Sequence, residues 1–184
     1  MPPKRWKTLS SREVYQNPWM RLREDIAEMP SGKTTLYGVI ECNDCVAVLP
    51  FVDADHVVLV RQYRYVFAEN HRWEIPSGSV KLGESVTEAA RRELREEVGY
   101  DALALEQVST YFTSKSIMQE IGHLFIGRQL VQVEATPDET EFLEIAFFPF
   151  AQVLQMVIAS EIRDSMSVIA VLHAARLRGF QQSS

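Results

Sequence analysis

The sequence predicts an α/β protein whose mixed β-sheet packs between helices. Two β-branched, apolar runs at residues 46–52 and 56–63 predict strands inside a sheet, and the turn-like residues 53–55 predict that they form a hairpin. A strongly helical stretch covers residues 86–98. Because strands and helices interleave without a regular βαβ repeat, we expect a mixed sheet.

The other elements follow in order along the chain. Residues 19–29 and 34–41 predict two strands joined by a turn at residues 30–33, which gives the amino terminus a β meander. Further strands are predicted near residues 108–113, 122–130 and 144–148, and further helices at residues 150–160 and 165–178.

Length and composition favour one domain. The chain has 184 residues, of which 46% are hydrophobic, and this is enough to bury a real core. It shows no internal repeat, and residues 1–180 contain no linker rich in Gly, Ser or Pro. We therefore expect a single domain over residues 1–184, with an amino-terminal β layer at 1–43, a core at 44–150 and carboxy-terminal helices at 151–180.

Charge and hydropathy limit the kinds of partner that we expect for this protein. The net charge of −6 disfavours nucleic acid, because the surface as a whole repels a phosphate backbone. No apolar run approaches the roughly 20 residues that cross a bilayer, and the amino terminus lacks the apolar stretch of a signal peptide. We expect a soluble, cytoplasmic protein with no membrane partner.

The two cysteines, Cys42 and Cys45, form a lone Cys-x-x-Cys pair. One interpretation is a metal or redox role, but neither a second pair nor a suitably spaced His completes a zinc site. The other is two half-buried thiols at the start of a strand.

The helical stretch at residues 86–98 carries three clustered glutamates. Ser85 and Glu88 form a capping box at its start, and Gly99 ends it. At 100° per residue one apolar stripe is flanked by a second stripe of carboxylates. The apolar stripe consists of Val86, Ala90, Leu94 and Val98, and the acidic stripe of Glu93, Glu96 and Glu97.

Two interpretations of the acidic stripe compete. Like charges at i, i+3 and i+4 repel each other, and a hard divalent cation removes that cost. Magnesium binds oxygen ligands and keeps several waters, which leaves positions open for diphosphate oxygens and an attacking water. Alternatively, the stripe is a solvated face balanced by Arg91, Arg92 and Arg95.

The loop before the helix decides between them. Residues 78–100 resemble the Nudix box, G-x5-E-x7-R-E-U-x-E-E-x-G-U with U an apolar residue, and match it at every defined position. The resemblance implies a Nudix-type α/β/α sandwich with a mixed β-sheet beside the amino-terminal β meander. It also implies a hydrolase that cleaves a pyrophosphate bond with Mg²⁺, for which Mn²⁺ can substitute.

The resemblance assigns roles to residues of the box. Its metal ligands are the acidic stripe and the backbone carbonyl of Ser77, while Glu84 and Arg92 orient the loop against the helix. Gly78 has a physical reason of its own, since the backbone there must pass close to metal and phosphate. Gly99 closes the motif.

Segments outside the box resemble the ADP-ribose and nucleoside diphosphate sugar pyrophosphatases. The R-Q-Y-R segment contains Arg61 and Arg64, and the E-x-P-x-G segment begins at Glu74. These three residues are substrate-binding candidates, and the planar fork of Arg64 suits a diphosphate, although a surface ion pair is an alternative for it. In that subgroup the amino-terminal layer pairs between subunits, so we expect a homodimer.

An acidic loop at residues 138–144 supplies candidate bases. In the resembling subgroup a glutamate of this loop activates water, and the spacing from the box favours Glu139, then Glu141, with Glu96 of the box as a further catalytic candidate. A solvated turn is the alternative for this loop.

The substrate class is narrowed by one departure from the subgroup. ADP-ribose enzymes usually carry Ser-Pro-Gly about 15 residues past the box, whereas this chain has Ser114-Lys115-Ser116 there. Glu120 matches the acidic position after that motif and is a candidate contact for metal or sugar. The expected substrate is a nucleoside diphosphate sugar such as ADP-ribose. The alternatives are a Nudix hydrolase of nucleoside triphosphates or dinucleotides, and a non-enzymatic sensor of ADP-ribose-like ligands.

Overall fold

The computed structural model describes residues 4–70, 72–134 and 142–179. The strands are β1 (Lys7–Gln16), β2 (Met20–Glu28), β3 (Thr34–Cys42), β4 (Cys45–Pro50), β5 (His56–Arg61), β6 (Tyr63–Arg64), β7 (Glu69–Asn70), β8 (Ser77–Ser79), β9 (Tyr100–Phe112), β10 (Met118–Gln119), β11 (Ile121–Gln132) and β12 (Glu144–Pro149). The helices are α1 (Val86–Val98), α2 (Phe150–Ile158) and α3 (Ser165–Leu177), and a 3₁₀ turn covers Tyr65–Phe67.

The chain divides into two compact units, one formed by residues 1–44 and 112–121 and the other by residues 45–111 and 122–184. The first unit is a β meander. Strands β1, β2 and β3 are joined antiparallel, and the short β10 adds to β3 in parallel. The predicted meander is confirmed, but β1 was not predicted as a separate strand. Every residue of β1 is exposed, so its sequence lacks the apolar alternation that identifies a half-buried strand.

The second unit contains the mixed sheet that the sequence predicts. Its main sheet has the order β8-β4-β11-β9, in which β11 runs parallel and β8 antiparallel to β4. Strand β5 pairs instead with β12. The predicted β4–β5 hairpin is therefore wrong. A single bridge between Phe51 and Val57 joins the two segments at the turn, and β4 and β5 do not pair beyond it. Strand β4 already has a partner on each edge, so β5 pairs elsewhere.

Helices cover both faces of β4 in this unit. Ala47 and Leu49 belong to an apolar cluster with α2 and α3, whereas Val46 and Val48 belong to one with α1. Successive residues of a strand point to opposite faces of the sheet. Because both faces are covered, all four side chains are fully buried. The α/β/α sandwich is confirmed. Among the described residues, none of the helices is long and apolar enough to span a membrane.

Candidate active site

Helix α1 begins and ends where the sequence predicts. The Ser85 hydroxyl accepts the Glu88 N–H at 3.2 Å, and Glu88 Oε2 accepts the Ser85 N–H at 2.9 Å, which completes the capping box. Gly99 ends the helix with a φ of 71°, a left-handed conformation that glycine adopts without strain. These caps fix the ends of the helix, while the packing of Ala90, Leu94 and Val98 in the core sets its rotation and thereby the direction of the acidic stripe.

The three glutamates of the stripe differ in burial and in their hydrogen bonds. Glu93 and Glu97 are buried, whereas Glu96 is partly exposed. Glu97 Oε2 accepts the backbone N–H of Ser77 at 3.0 Å. Arg92 Nη1 donates to Glu93 Oε1 at 2.5 Å and to Glu96 Oε2 at 2.9 Å. One guanidinium nitrogen thus lies between two of the predicted metal ligands.

The other nitrogens of Arg92 hold the loop before the helix. Nε and Nη2 donate to the two carboxylate oxygens of Glu84 at 2.9 and 3.0 Å, and Nη2 also donates to the Ser79 carbonyl at 2.9 Å. The hydrogen bond from Arg92 is the main cause that lowers the pKa of Glu84, and the same bond is the main cause that raises the pKa of Arg92. Both groups stay charged at neutral pH, so this bidentate pair ties the loop to the helix.

Gly78 lies directly against Glu93. A Cβ built on this glycine would overlap the carboxyl group of Glu93. The absence of a side chain at residue 78 therefore leaves room for that carboxylate, which we did not foresee from the sequence. From the sequence we expected metal and phosphate, rather than the side chain of Glu93, close to this backbone.

The side chains of the box fit a hard divalent cation in their chemistry. Glu93, Glu96 and Glu97 offer carboxylate oxygens, which magnesium prefers, and they share one stripe of a capped helix beside a glycine. Among the residues described, no group of three His, Cys, Asp or Glu side chains is arranged to hold an ion. Arg92, the Ser77 amide and Lys81 are among the partners of these carboxylates instead. A cation held by both Glu93 and Glu96 would take the place of the Arg92 Nη1 contact with these two carboxylates.

The substrate-binding candidates of the second unit are held in ion pairs. Arg64 pairs with Glu74, whose side chain is buried. Arg61 pairs with Glu144 at 2.5 Å, and its guanidinium lies 4.7 Å from the ring centre of Trp73. The ion-pair alternative considered for Arg64 is thus present, with a buried rather than a surface partner. The pairing of Arg61 with Glu144 follows from the β5–β12 register, which the sequence did not predict.

The segment before the box is anchored by α3. The Ile75 N–H donates to the hydroxyl of Ser167 at 2.9 Å, and both residues are buried. On either side of Ile75, the Glu74 backbone forms a bridge with Val60, and the Pro76 carbonyl accepts the Val48 N–H at 2.9 Å. The backbone that leads into Ser77 and Gly78 is therefore fixed by the core.

A cavity of about 560 Å³ adjoins this backbone. Its lining includes residues 77–79 of the box region, the Arg64–Glu74 pair, Tyr65 and Phe67 of the 3₁₀ turn, and Met166 of α3. The contribution of the turn and of α3 was missed from the sequence. The signal available was the apolar run Tyr65-Val66-Phe67 directly after the R-Q-Y-R segment.

The remaining candidates lie outside this cavity or outside the described residues. Glu120 belongs to the first unit, where its carboxylate lies 3.7 Å from the Cys42 thiol. Burial and this neighbouring carboxylate raise the pKa of Cys42 to about 11, so the thiol stays protonated and unreactive at neutral pH. Both Cys42 and Cys45 are free thiols. Glu139 and Glu141 lie outside the residues that the structure describes.

The sandwich and the box together define a class of metal-assisted hydrolases with clustered glutamates on one helix. The NUDIX domain model matches residues 43–167, which is more than half of the chain, and the chain belongs to this family. A model of the nucleoside diphosphate sugar hydrolase N-terminal domain matches residues 6–40. The prediction of a Nudix hydrolase is confirmed. Enzymes of this family generally require a divalent metal ion.

Named relatives cover nearly the whole chain. The methanol dehydrogenase activator of Bacillus methanolicus is 32% identical over 167 residues, which are 90% of each chain. The ADP-ribose pyrophosphatases of Bacillus subtilis and Mycobacterium tuberculosis are each 30% identical, covering 90% and 96% of this chain and 90% and 87% of their own. The crystal structure of an ADP compounds hydrolase matches with a TM-score of 0.86 at 24% identity over 96% of each chain, which shows the shared fold.

Proposed function

We propose that the protein hydrolyses the diphosphate of a nucleoside diphosphate sugar such as ADP-ribose, and releases a nucleoside monophosphate and a sugar phosphate. The observation that carries this proposal is the complete box beside the cavity, with Glu93, Glu96 and Glu97 on one stripe of α1 and Gly78 against Glu93. Relatives named ADP-ribose pyrophosphatase support the substrate class.

The metal in this proposal is Mg²⁺, for which Mn²⁺ can substitute. Its ligands are Glu93, Glu96, Glu97 and the carbonyl of Ser77. The bound cation supplies charge neutralisation at the diphosphate, which otherwise repels a nucleophile. In the reaction a water oxygen forms a bond to one phosphorus, and the bond from that phosphorus to the bridging oxygen breaks.

The proton of the attacking water needs an acceptor. Coordinated glutamates are poor bases, because the cation stabilises their ionised form. We assign this role to Glu139, with Glu141 as the next candidate on the same acidic loop. Glu96 is the candidate from the acidic stripe, since it is more exposed than Glu93 and Glu97, and it can accept the proton only when it does not coordinate the cation. Arg61, Arg64, Glu74 and Glu120 are proposed to contact the substrate.

A substrate panel with product analysis tests the activity. ADP-ribose, other nucleotide sugars, nucleoside triphosphates and dinucleotides are incubated with Mg²⁺, and the products are separated by chromatography. The wild type should convert ADP-ribose to AMP and ribose 5-phosphate. The Glu97→Gln variant should form neither product. Turnover of triphosphates with no turnover of any nucleotide sugar would overturn the substrate class.

The protein is proposed to act as a cytoplasmic homodimer through the first unit. That unit exposes apolar side chains, and Ile26 and Leu36 lie side by side in the β2–β3 register, with Leu36 60% exposed. Light scattering at micromolar concentration should give the mass of two chains, and Leu36→Lys should halve it. Leu103→Lys is the matched control, because Leu103 is 68% exposed and belongs to the other unit. A monomeric wild type would refute the dimer.

A further inference from the structure

The 3₁₀ turn Tyr65–Phe67 projects apolar side chains into solvent. Tyr65 is 88% exposed and Phe67 is 63% exposed, and the intervening Val66 is 86% exposed. Exposed aromatic side chains that stand together are uncommon on a soluble surface and mark binding sites. This turn lies outside the box, and none of its residues has a role in the proposed hydrolysis.

The turn is held in place by its surroundings. Strands β6 and β7 flank the turn and pair with each other. Ala68, which has a left-handed backbone conformation, donates its N–H to the Tyr65 carbonyl at 3.1 Å. At its root, Arg64 pairs with the buried Glu74, and the Glu74 backbone is bonded in both directions to Val60. The aromatic side chains are therefore carried on a backbone that is tied to the core of the second unit.

The same rings line the cavity that contains the box backbone. Tyr65, Phe67 and Met166 give this cavity an apolar part, whereas Ser77 and Gly78 form part of its lining next to the predicted metal ligands. Apart from the phenol O–H of Tyr65, these side chains offer no donor to a phosphate or a sugar hydroxyl. They suit a flat, uncharged aromatic group. Of the parts of a nucleotide sugar, only the base has this chemistry.

We propose that Tyr65, with Phe67 beside it, is the surface on which the nucleobase of the substrate stacks. This inference rests on the proposed function and adds to it a base-binding element on the second unit. Stacking on a π face is tolerant of base identity, because every base offers one. The turn therefore provides affinity for the nucleoside half of the substrate in general.

The test compares the two products as ligands. Binding of AMP and of ribose 5-phosphate to the wild type and to Tyr65→Leu is measured by calorimetry, alongside KM and kcat for ADP-ribose. Tyr65→Leu should weaken AMP about 5- to 10-fold and raise KM by a similar factor with kcat unchanged, and Phe67→Leu should act in the same direction. Ribose 5-phosphate, which has no base, should bind as to wild type.

Matched variants separate stacking from other effects. Tyr65→Phe keeps the ring and should stay within about twofold of wild type. Phe147→Leu removes an aromatic ring that is 54% exposed outside this cavity and should leave AMP binding unchanged. Circular dichroism and thermal melting verify that each variant is folded.

Several results would overturn the inference. AMP binding that is absent in wild type or unchanged in Tyr65→Leu excludes stacking, and so does an equal loss of AMP and ribose 5-phosphate. Conversion of a dimer to a monomer with unchanged AMP affinity would make the turn a contact with a second copy instead. If no nucleotide sugar is hydrolysed, the proposed function fails, while ring-dependent AMP binding still supports the base site.

Discussion

Replacing Gly78 with alanine tests how closely the box loop packs against Glu93. The new methyl would overlap the Glu93 carboxyl group, and no real Cβ approaches another atom so closely. Glu93 cannot simply swing away, because its side chain is buried and bonded to Arg92. Overpacking of this kind costs about 1–3 kcal/mol, which corresponds to a fall in Tm of about 2–12 °C for a chain of this size. A displacement of about 1 Å at a metal ligand should lower kcat/KM by about 10²-fold.

The assay pairs thermal melting with the kinetics of ADP-ribose hydrolysis. Gly38→Ala is the control, because its Cβ would meet no atom within 4 Å. Its Tm should stay close to wild type, within the roughly 0.5 kcal/mol of an ordinary surface substitution. Adding Glu93→Asp to Gly78→Ala withdraws the carboxylate by one methylene, so the double variant should be more stable than the sum of the single effects predicts. Wild-type Tm and activity in Gly78→Ala would refute the contact.

The remaining predictions concern the carboxylates. Glu93→Gln and Glu97→Gln should each lose most activity at saturating Mg²⁺ with the melting profile of a folded protein, because charge is removed while volume is kept, and near-normal turnover in either variant would refute its role as a ligand. Glu139→Gln should lower kcat by roughly 10²-fold with little change in KM, and if Glu141→Gln alone has this effect, the base is two residues further on. Glu84 has a lowered pKa in the folded state, so on acidification the unfolded chain takes up the proton first. The stabilisation that Glu84 gives is complete above about pH 4.3 and is lost as the pH falls through the lowered pKa. The difference in Tm between the wild type and Glu84→Gln should therefore become smaller in acid. A difference that stays constant with pH would contradict this.

Local signals predicted helix α1 to the residue. The capping box of Ser85 and Glu88 and the terminal Gly99 act within one turn of the helix, so the sequence contains all the information that fixes its ends. The resemblance to the box gave Glu84 and Arg92 the role of orienting the loop against the helix, and in the structure the two form a bidentate contact. Predictions of this kind succeed because both partners are recognisable in one short segment.

Contacts between distant segments were not predictable in the same way. Strands β4 and β5 have the composition of a hairpin, yet their partners β8, β11 and β12 lie at unrelated distances along the chain. Composition shows that a strand is buried on both faces but does not show which edges meet. The pairing of Arg61 with Glu144 depends on that register and was missed for the same reason.

The cavity was the least predictable part of the site. In the sequence, Tyr65 and Phe67 belong to a short apolar run that indicates no function. The fold brings them to the same cavity as Gly78 and Met166. The shared position of Arg92 Nη1 between Glu93 and Glu96 likewise depends on side-chain conformations that helical periodicity does not specify. The assignment of the base between Glu139 and Glu141 stays a prediction.

The hydrogen bond between Ile75 and Ser167 has a consequence for how the protein is made. Its donor and acceptor are 92 positions apart, so α3 leaves the ribosome well after the segment that contains Ile75. Until α3 docks, the Ile75 N–H lacks this acceptor, and a buried amide without a partner costs about 1–3 kcal/mol. The second unit therefore cannot reach its final stability during synthesis of its strands. A nascent or truncated chain that ends before α3 should carry the whole box and still be unable to hold the segment before Gly78 in its working conformation.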